Sequence, residues 1–445
     1  MTVSRKKDGT MVKSLFDMRS REILEKVIAA DYIELEIFEK EIRAHICKIE
    51  SVSACKTIDI SDVVQCREVE TVSISSELLA AGGEEYVQLS FFDLMNEVTH
   101  QKSIESIYKI VSLFSGAGML DYPFKQDSKY KILLANDIGK GQAASYVANI
   151  GNMLVKKDIR ELNIIPAADL VLGGPSCKPF SNCNRSTRLM NHPDYFLIKE
   201  YIRIVKQANP KVFVIENVPA FVTTADGMIL EDIMNQLSNY EYSVTKLVDS
   251  DVGGYTTRKR VIIIGSKIGK IELTPSLSDA QNSKTGIFEF CNSAVNRKTA
   301  KEALDKVDAT WFNYGDYSVS NEATQERMAY VRDGHNWEDV PAHLTVKSQF
   351  CNYMRRLSPD EPAPAIVNVR KSLIMPPKQY VTGKERCLSV AECSALMGFP
   401  KEFRFLGTLD ERQQQVANGV PYMIAKLIKD SVTKALDGFG KLAMI

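Results

Sequence analysis

The run Gly173-Gly174-Pro175-Ser176-Cys177-Lys178-Pro179-Phe180-Ser181 sets one of nine cysteines among glycines and prolines, where regular structure cannot continue. A thiol on such a turn is expected at a ligand edge, and a basic neighbour such as Lys178 favours the nucleophilic thiolate. The competing reading, a buried cysteine acting as a small hydrophobe, suits most of the other eight. A second candidate is Glu216 in Val214-Ile215-Glu216-Asn217-Val218, a carboxyl ending an apolar strand and suited to holding or sharing a proton. Arg258 and Arg260, two apart on an incoming strand, are expected on one face, where they either clamp a base or phosphate or form ordinary surface pairs.

Ser112-Leu113-Phe114-Ser115-Gly116-Ala117-Gly118 adds a different chemistry. Its Gly-x-Gly turn after a strand lets backbone pass close to a nucleoside, with Phe114, Gly116 and Gly118 as the contact positions. Asp137, 19 residues after Gly118 and followed by Ile138, is placed to hold a ribose diol, and Asp158 to meet an adenine amino group. Tight turns with surface acids are the plain alternative. The third glycine of the dinucleotide fingerprint is missing, which favours S-adenosylmethionine over NAD.

These groups need a frame that gathers them. From Ile107 onward, short β-branched runs alternate with amphipathic stretches, as in βα units of a parallel sheet. Strands are expected at Ile107–Phe114, Lys131–Asn136, Leu170–Gly173, Val212–Glu216, Ser243–Val248 and Arg260–Gly265, with helices at Gly141–Ile150, Tyr195–Gln207 and Met228–Leu237. The fold class is therefore α/β, a doubly wound, mostly parallel, Rossmann-like sheet, and every candidate above falls at a strand's carboxyl end, where such sheets bind ligands. The rhythm makes 106–266 the catalytic, cofactor-binding domain. Residues 267–385, irregular and rich in Asn, Ser, Thr, Tyr and Pro, read as a smaller domain of mixed or mostly β character. Helical patterns at Val390–Met397 and Glu411–Leu436 bring 386–445 back to the first domain. Residues 1–105 form an N-terminal extension of unknown role, helical around Ser20–Ile46.

Composition narrows the classes. The chain has 445 residues, 44% hydrophobic and 25% charged, ample for several cores. The odd number of scattered cysteines, with no Cys-x-x-Cys pair, and only five histidines argue against a disulfide framework and a metal site. No apolar run reaches membrane-helix length and none follows Arg5–Lys7 as in a signal peptide, so a soluble cytoplasmic location is expected. Net charge is zero, but residues 1–105 hold 13 Lys+Arg against 20 Asp+Glu, leaving 43 against 36 elsewhere, a moderately basic remainder able to face phosphates.

In this order and spacing the runs resemble the DNA (cytosine-5) methyltransferase family over about 330 residues from Ile110, most specifically at Phe114–Gly118, Gly173–Ser181, Glu216–Val218, Arg258–Arg260, 388–400 (LSVAECSALMGFP) and 415–421 (QVANGVP). The resemblance implies methyl transfer from S-adenosylmethionine to C5 of a cytosine flipped out of duplex DNA, because C5 and C6 are inaccessible in the stack. It implies Cys177 as the nucleophile adding to C6, Glu216 as the group at N3, and Arg258 as the partner of Glu216 in holding the base, with Arg260 beside it. Pro175, Asn418 and Val420 join the cofactor set, Asn418 also supporting the joint between domains. Residues 267–385 would read the target sequence. Phosphate contacts are expected from Ser181, Arg185 and Arg188 after the nucleophile and from Arg355, Arg356, Arg370 and Lys371 in the recognition region. The chain is expected to act as a monomer on DNA, with a cognate restriction endonuclease as a candidate partner and no membrane. Ser176, Lys178, Tyr255-Thr256, Ala417 and Gly419 depart from the family pattern without removing a catalytic group. The competing readings are an RNA cytosine-5 methyltransferase of the same fold, a non-catalytic DNA-binding scaffold and, more distantly, a nicotinamide oxidoreductase.

Overall fold

The computed structural model describes strand backbone at 32–38, 41–52 and 64–75, and residues 108–176, 196–273, 280–282, 287–290, 297–344 and 352–442. The chain divides into two compact units, Met1–Glu105 and Ser106–Ile445.

In the first unit, β1 (Tyr32–Phe38), β2 (Glu41–Val52) and β3 (Val64–Ser75) form an antiparallel meander. The helix expected around Ser20–Ile46 is thus corrected where the structure describes it. Apolar residues recur every second position at Ile33, Leu35 and Ile37, and again at Ile42, Ala44 and Ile46. That period belongs to a strand. Phe38 pairs with Glu41 across a two-residue connection, which fixes the hairpin register.

The second unit is built on a sheet whose first strands in the chain are β4 (Tyr108–Leu113), β5 (Tyr130–Asn136), β6 (Leu154–Val155), β7 (Leu170–Gly173) and β8 (Val212–Asn217). These are parallel. β9 (Glu241–Val248) and β10 (Lys259–Ser266) follow, with β10 antiparallel to both β8 and β9, and the short β11 (Ala280–Asn282) and β12 (Ile287–Phe290) extend the edge. The order is β11-β12-β9-β10-β8-β7-β4-β5-β6. The chain runs outward from β4 through β5 to β6, then resumes on the other side of β4 with β7. The crevice between β4 and β7 is therefore the topological switch point, where open α/β sheets take their ligands.

Helices cover both faces. α1 (Tyr122–Lys125) and α2 (Lys140–Asn149) follow β4 and β5; α3 (Phe196–Ala208), α4 (Ala220–Thr223) and α5 (Met228–Gln236) follow later strands. Ile110, Leu170, Leu172, Val214, Ile262 and Ile264 pack in one core, while their neighbours Val111, Val171, Phe213, Ile215, Val261 and Ile263 pack in another. Strand alternation thus divides one run of apolar residues between two buried faces, which is why the strands carry no polar side.

The helix pattern expected over Glu411–Leu436 breaks into α10 (Leu409–Asn418) and α11 (Tyr422–Leu442); Gly419, Val420 and Pro421 separate them, and a proline opening a helix costs no hydrogen bond. Ile424, Ile428, Val432 and Leu436 line α11 at helical spacing and close the first face of the sheet.

Between the sheet and α10 lie α6 (Ala300–Leu304), α7 (Glu322–Tyr330), α8 (Val369–Ser372) and α9 (Val390–Leu396), joined by turns. Of the mixed or mostly β character expected for 267–385, the described residues show the mixed form: short helices, with β11 and β12 as strands on the edge of the main sheet. A third core explains the packing. Ala300, Leu304, Leu357, Ile366 and Val369 are buried with Leu388, Leu396, Phe403 and Val416, and with Ala117 and Met119 beside the Gly-x-Gly turn.

One buried acid lies beneath that turn. Asp121 accepts hydrogen bonds from Ser112 Oγ (2.8 Å) and Tyr146 Oη (2.7 Å), and burial pushes its pKa up to about 6, against the lowering effect of both bonds. The folded state therefore holds this proton more tightly than the unfolded chain, so the group's stabilising contribution is lost as pH rises from its ordinary value of 3.8 through about 6. Asp121→Asn removes this dependence. The Tm of the variant minus that of wild type should rise over this pH window and level off above it. A difference constant with pH would contradict the assignment.

Candidate active site

Four strands end in register. Leu113 pairs with Asn136 on one side and Gly173 on the other, and Gly173 pairs with Ile215. The Phe114–Gly118 turn, Asp137–Ile138, the Gly173–Pro175 turn and Glu216 are thereby brought to one edge.

Backbone conformation shapes the first turn. Phe114, Gly116 and Gly118 have φ of 54°, 57° and 86°, and a Cβ on Gly116 would meet nothing within 4 Å. The turn is held by Asp137, whose Oδ2 accepts from Gly116 N (2.9 Å) and Oδ1 from Gly139 N (2.8 Å). Burial raises the Asp137 pKa while these amide bonds oppose the rise. Ile138 is 68% exposed, an apolar surface offered at a polar edge. An open backbone cradle, a carboxylate and an apolar side chain fit a nucleoside's ribose and flat base.

Asp158 is otherwise engaged. Arg160 binds it through Nε (2.9 Å) and Nη2 (2.6 Å), and these bonds hold its pKa down to about 2. Asn418 ends α10 exposed, its Oδ1 accepting from Gln414 Nε2 (2.8 Å); Val420 is buried in the core beneath α11.

Glu216 is the penultimate residue of β8, at 7% exposure, and Arg260 Nε lies 2.5 Å from its Oε1. On its other side, a Cβ on Gly174 would stand 3.0 Å from Glu216 Oε2, so a residue larger than glycine would crowd the acid. Asn217 Nδ2 donates to Pro175 O (2.9 Å), tying the two turns together two residues before Cys177. Asn217 is thus a positioning group that sequence reasoning passed over; its signal was a polar side chain directly after the strand-end acid. Cys177, Ser181, Arg185 and Arg188 lie outside the described residues.

The expected pairing of Arg258 with Glu216 is corrected. Strand alternation cannot put Arg258 and Arg260 on one face, because β10 begins at Lys259. Arg258, 4% exposed, instead donates to Ile366 O (2.7 Å) and Ala417 O (2.5 Å), joining the sheet, the 366 segment and the end of α10. The preceding turn is stitched by Thr257 N to Ala363 O (2.8 Å) and Ala363 N to Tyr255 O (2.8 Å). Thr256 donates from N (3.1 Å) and Oγ1 (2.7 Å) to the buried Asp249, so the unusual Tyr255-Thr256 pair belongs to this joint.

Arg356 is also corrected as a phosphate contact. At 0% exposure it donates to the carbonyls of Val331, Met328 and Pro376 and pairs with Glu385 (2.7 Å). A guanidinium so buried persists only when its donors are satisfied internally. Arg370 and Lys371 are exposed on α8, and Arg355 is half-buried. Cys387 and Cys393 are buried, and burial pushes Cys387 up to about 12 and Cys393 well above the ordinary thiol range. Neither is poised as a nucleophile. Among the described residues there is no His/Cys/Asp/Glu group able to hold a metal, and no helix long and apolar enough to cross a membrane.

The two arginines should separate experimentally. Arg258→Ala removes two bonds from a charged donor and should cost about 3 kcal/mol, lowering Tm. Arg260→Ala leaves the buried Glu216 carboxylate without its cation and should also lower Tm, but adding Glu216→Gln should restore most of that loss, because the stranded charge is gone. Glu216→Gln should restore none of the loss in Arg258→Ala. Equal restoration in both backgrounds, or in neither, would contradict the division.

The sequence profile described as C-5 cytosine-specific DNA methylase matches residues 108–434. Among characterised proteins, the chain is 32% identical to the type II methyltransferase M.FnuDI of Fusobacterium nucleatum, over 73% of this chain and 95% of that protein. It is 27% identical to M.NgoFVII of Neisseria gonorrhoeae, over 78% and 93%. A methyltransferase encoded within an E. coli prophage superposes with a TM-score of 0.54 at 21% identity, over 74% of this chain and 99% of the other. The S. pombe Dnmt2 methyltransferase superposes with a TM-score of 0.51 at 16% identity, over 74% and 99%.

Proposed function

The chain belongs to the C-5 cytosine-specific DNA methylase family, and on that premise we propose that it is a DNA (cytosine-5-)-methyltransferase acting on a flipped cytosine within a specific duplex sequence. The observation that carries the reading is the Glu216–Arg260 pair set against the Gly174–Pro175 turn. S-Adenosylmethionine, when bound, supplies an electrophilic methyl group. The Phe114–Gly118 turn, Asp137 and Ile138 fit its nucleoside, with Pro175 and Asn418 at the border of that site.

The chemistry of the chain's own groups follows from the weak nucleophilicity of cytosine C5. Glu216 holds a proton at N3, and Arg260 orients the carboxyl and the base edge. The Cys177 sulfur forms a bond to C6 and the ring becomes an enamine, nucleophilic at C5. After methylation the C5 proton passes to water as base, the sulfur–C6 bond breaks with its electron pair returning to sulfur, and the N3 proton returns to Glu216, which restores the aromatic ring and the thiolate. Asn217 fixes the turn that leads into Cys177, and Gly174 leaves room for Glu216.

Target reading belongs to 267–385, whose exposed Arg370 and Lys371 suit phosphates. The relatives named as type II methyltransferases support a role in restriction–modification, with a cognate endonuclease as partner.

A duplex carrying 5-fluorocytosine at the target tests the mechanism, because fluorine cannot leave C5 as a proton does. Wild-type protein with S-adenosylmethionine should form an adduct that survives denaturation. Cys177→Ser should form none and should not turn over, whereas Cys183→Ser should behave as wild type. An adduct mapped to another cysteine would sink the mechanism.

A further inference from the structure

Helix α10 stands between the recognition region and the cofactor turn, and its polar side chains connect them. Asn368, 7% exposed, caps α8 by accepting from Lys371 N (3.2 Å), and its Nδ2 donates to Gln414 Oε1 (3.1 Å). Gln414 Nε2 then donates to Asn418 Oδ1 (2.8 Å) in the last turn of α10. Directly after that turn the backbone runs against the cofactor side: a Cβ on Gly419 would stand 1.9 Å from Met119 Sδ, and Met119 shares a core with Ala117 of the Gly-x-Gly turn and Val416 of α10. A side chain at 419 would therefore displace the buried Met119 thioether. Arg258 holds the same elements from the other side through Ile366 O and Ala417 O.

The arrangement has a mechanical consequence. The amide of Gln414 has one end on the residue that caps α8, which carries exposed Arg370 and Lys371, and the other on the residue that precedes Gly419. A shift of α8 toward a phosphate pulls on α10 through this amide chain, through the Asn368 Nδ2 bond to Asp410 Oδ1 (3.4 Å) and through the Lys371–Asp410 pair (3.7 Å). Moving α10 presses Gly419 on Met119, and so on the turn at 114–118.

We propose that Asn368 and Gln414 are positioning residues that couple duplex binding at α8 to cofactor binding at the Phe114–Gly118 turn. The inference rests on the methyltransferase reading above. The bonds of both residues run to other side chains and backbone of the chain, so their loss is expected to act on the coupling between the sites more than on each affinity alone. Coupling of this kind is reciprocal: the factor by which duplex strengthens cofactor binding equals the factor by which cofactor strengthens duplex binding. A demonstrated coupling, and not proximity, is what the proposal requires.

The test uses full-length protein, S-adenosylhomocysteine as the cofactor probe, and a synthetic duplex containing the sequence that the chain protects from deamination in cells. Kd for each probe is measured alone and with the other saturating. Wild type should show a coupling factor of roughly fivefold or more. Gln414→Met keeps volume but neither donates nor accepts an amide bond; with the Asp410 links left in place, its factor should fall to about half that of wild type or less while Kd for each probe alone stays within about twofold. Gln414→Glu keeps an acceptor for Asn368 but has no donor for Asn418, and it should also lose coupling. Full coupling in Gln414→Met, or none in a wild-type protein that binds both probes, overturns the inference alone. A wild-type protein that binds neither probe overturns the methyltransferase reading, and the inference with it.

Discussion

A carboxylate at the end of a buried strand has lost most of its water, and it is retained there only with a proton or a cation beside it. Glu216 is such a group, and Arg260 is the cation. The organisation of the sheet follows from bringing the two together. β8 arrives parallel to β7, which puts Glu216 beside the Gly173–Pro175 turn, and β10 returns antiparallel, so that its first residues enter at the same edge where β8 ends. A parallel neighbour in place of β10 would put its first residues at the opposite edge. The reversal of β10 within a mostly parallel sheet is thus the structural counterpart of the ion pair.

The joint made by Arg258 is the second requirement. A charged side chain at 4% exposure that binds carbonyls from two other segments holds the end of α10 and the 366 segment to the start of β10. Because the third core mixes residues 300–405 with Ala117, Met119 and Val416, the segment expected to read sequence shares its packing with the turn expected to hold the nucleoside. This shared core is why residues 106–445 form one compact unit and not two.

Much of the sheet was legible in the sequence because its central strands are apolar on both sides: Leu170–Gly173 is recovered to the residue, and the other expected strands to within two residues at either end. The edge at which Gly116, Asp137, Gly174 and Glu216 meet was legible for the same reason. What periodicity could not supply was the fate of individual polar groups. Arg258 and Arg260 look equivalent in the chain, and only the point where β10 begins separates them. Arg356 carries the charge of a phosphate contact but is spent on carbonyls 20 to 28 residues away in sequence. The hairpin in the first unit was misread because Ser20–Ile46 holds apolar residues dense enough to satisfy helical and alternating spacing together. For 267–385 the composition left mixed and mostly β character both open, because composition separates loop from core poorly when short helices are closed by long-range contacts.

Sequencing of chemically deaminated DNA from cells expressing the chain measures reaction, substrate and target together. The account predicts cytosines protected from deamination in one short duplex sequence, and protection lost when Glu216→Gln replaces the wild-type protein at equal soluble level. Absence of protected cytosines with the soluble wild-type protein, or equal protection with Glu216→Gln, would contradict it.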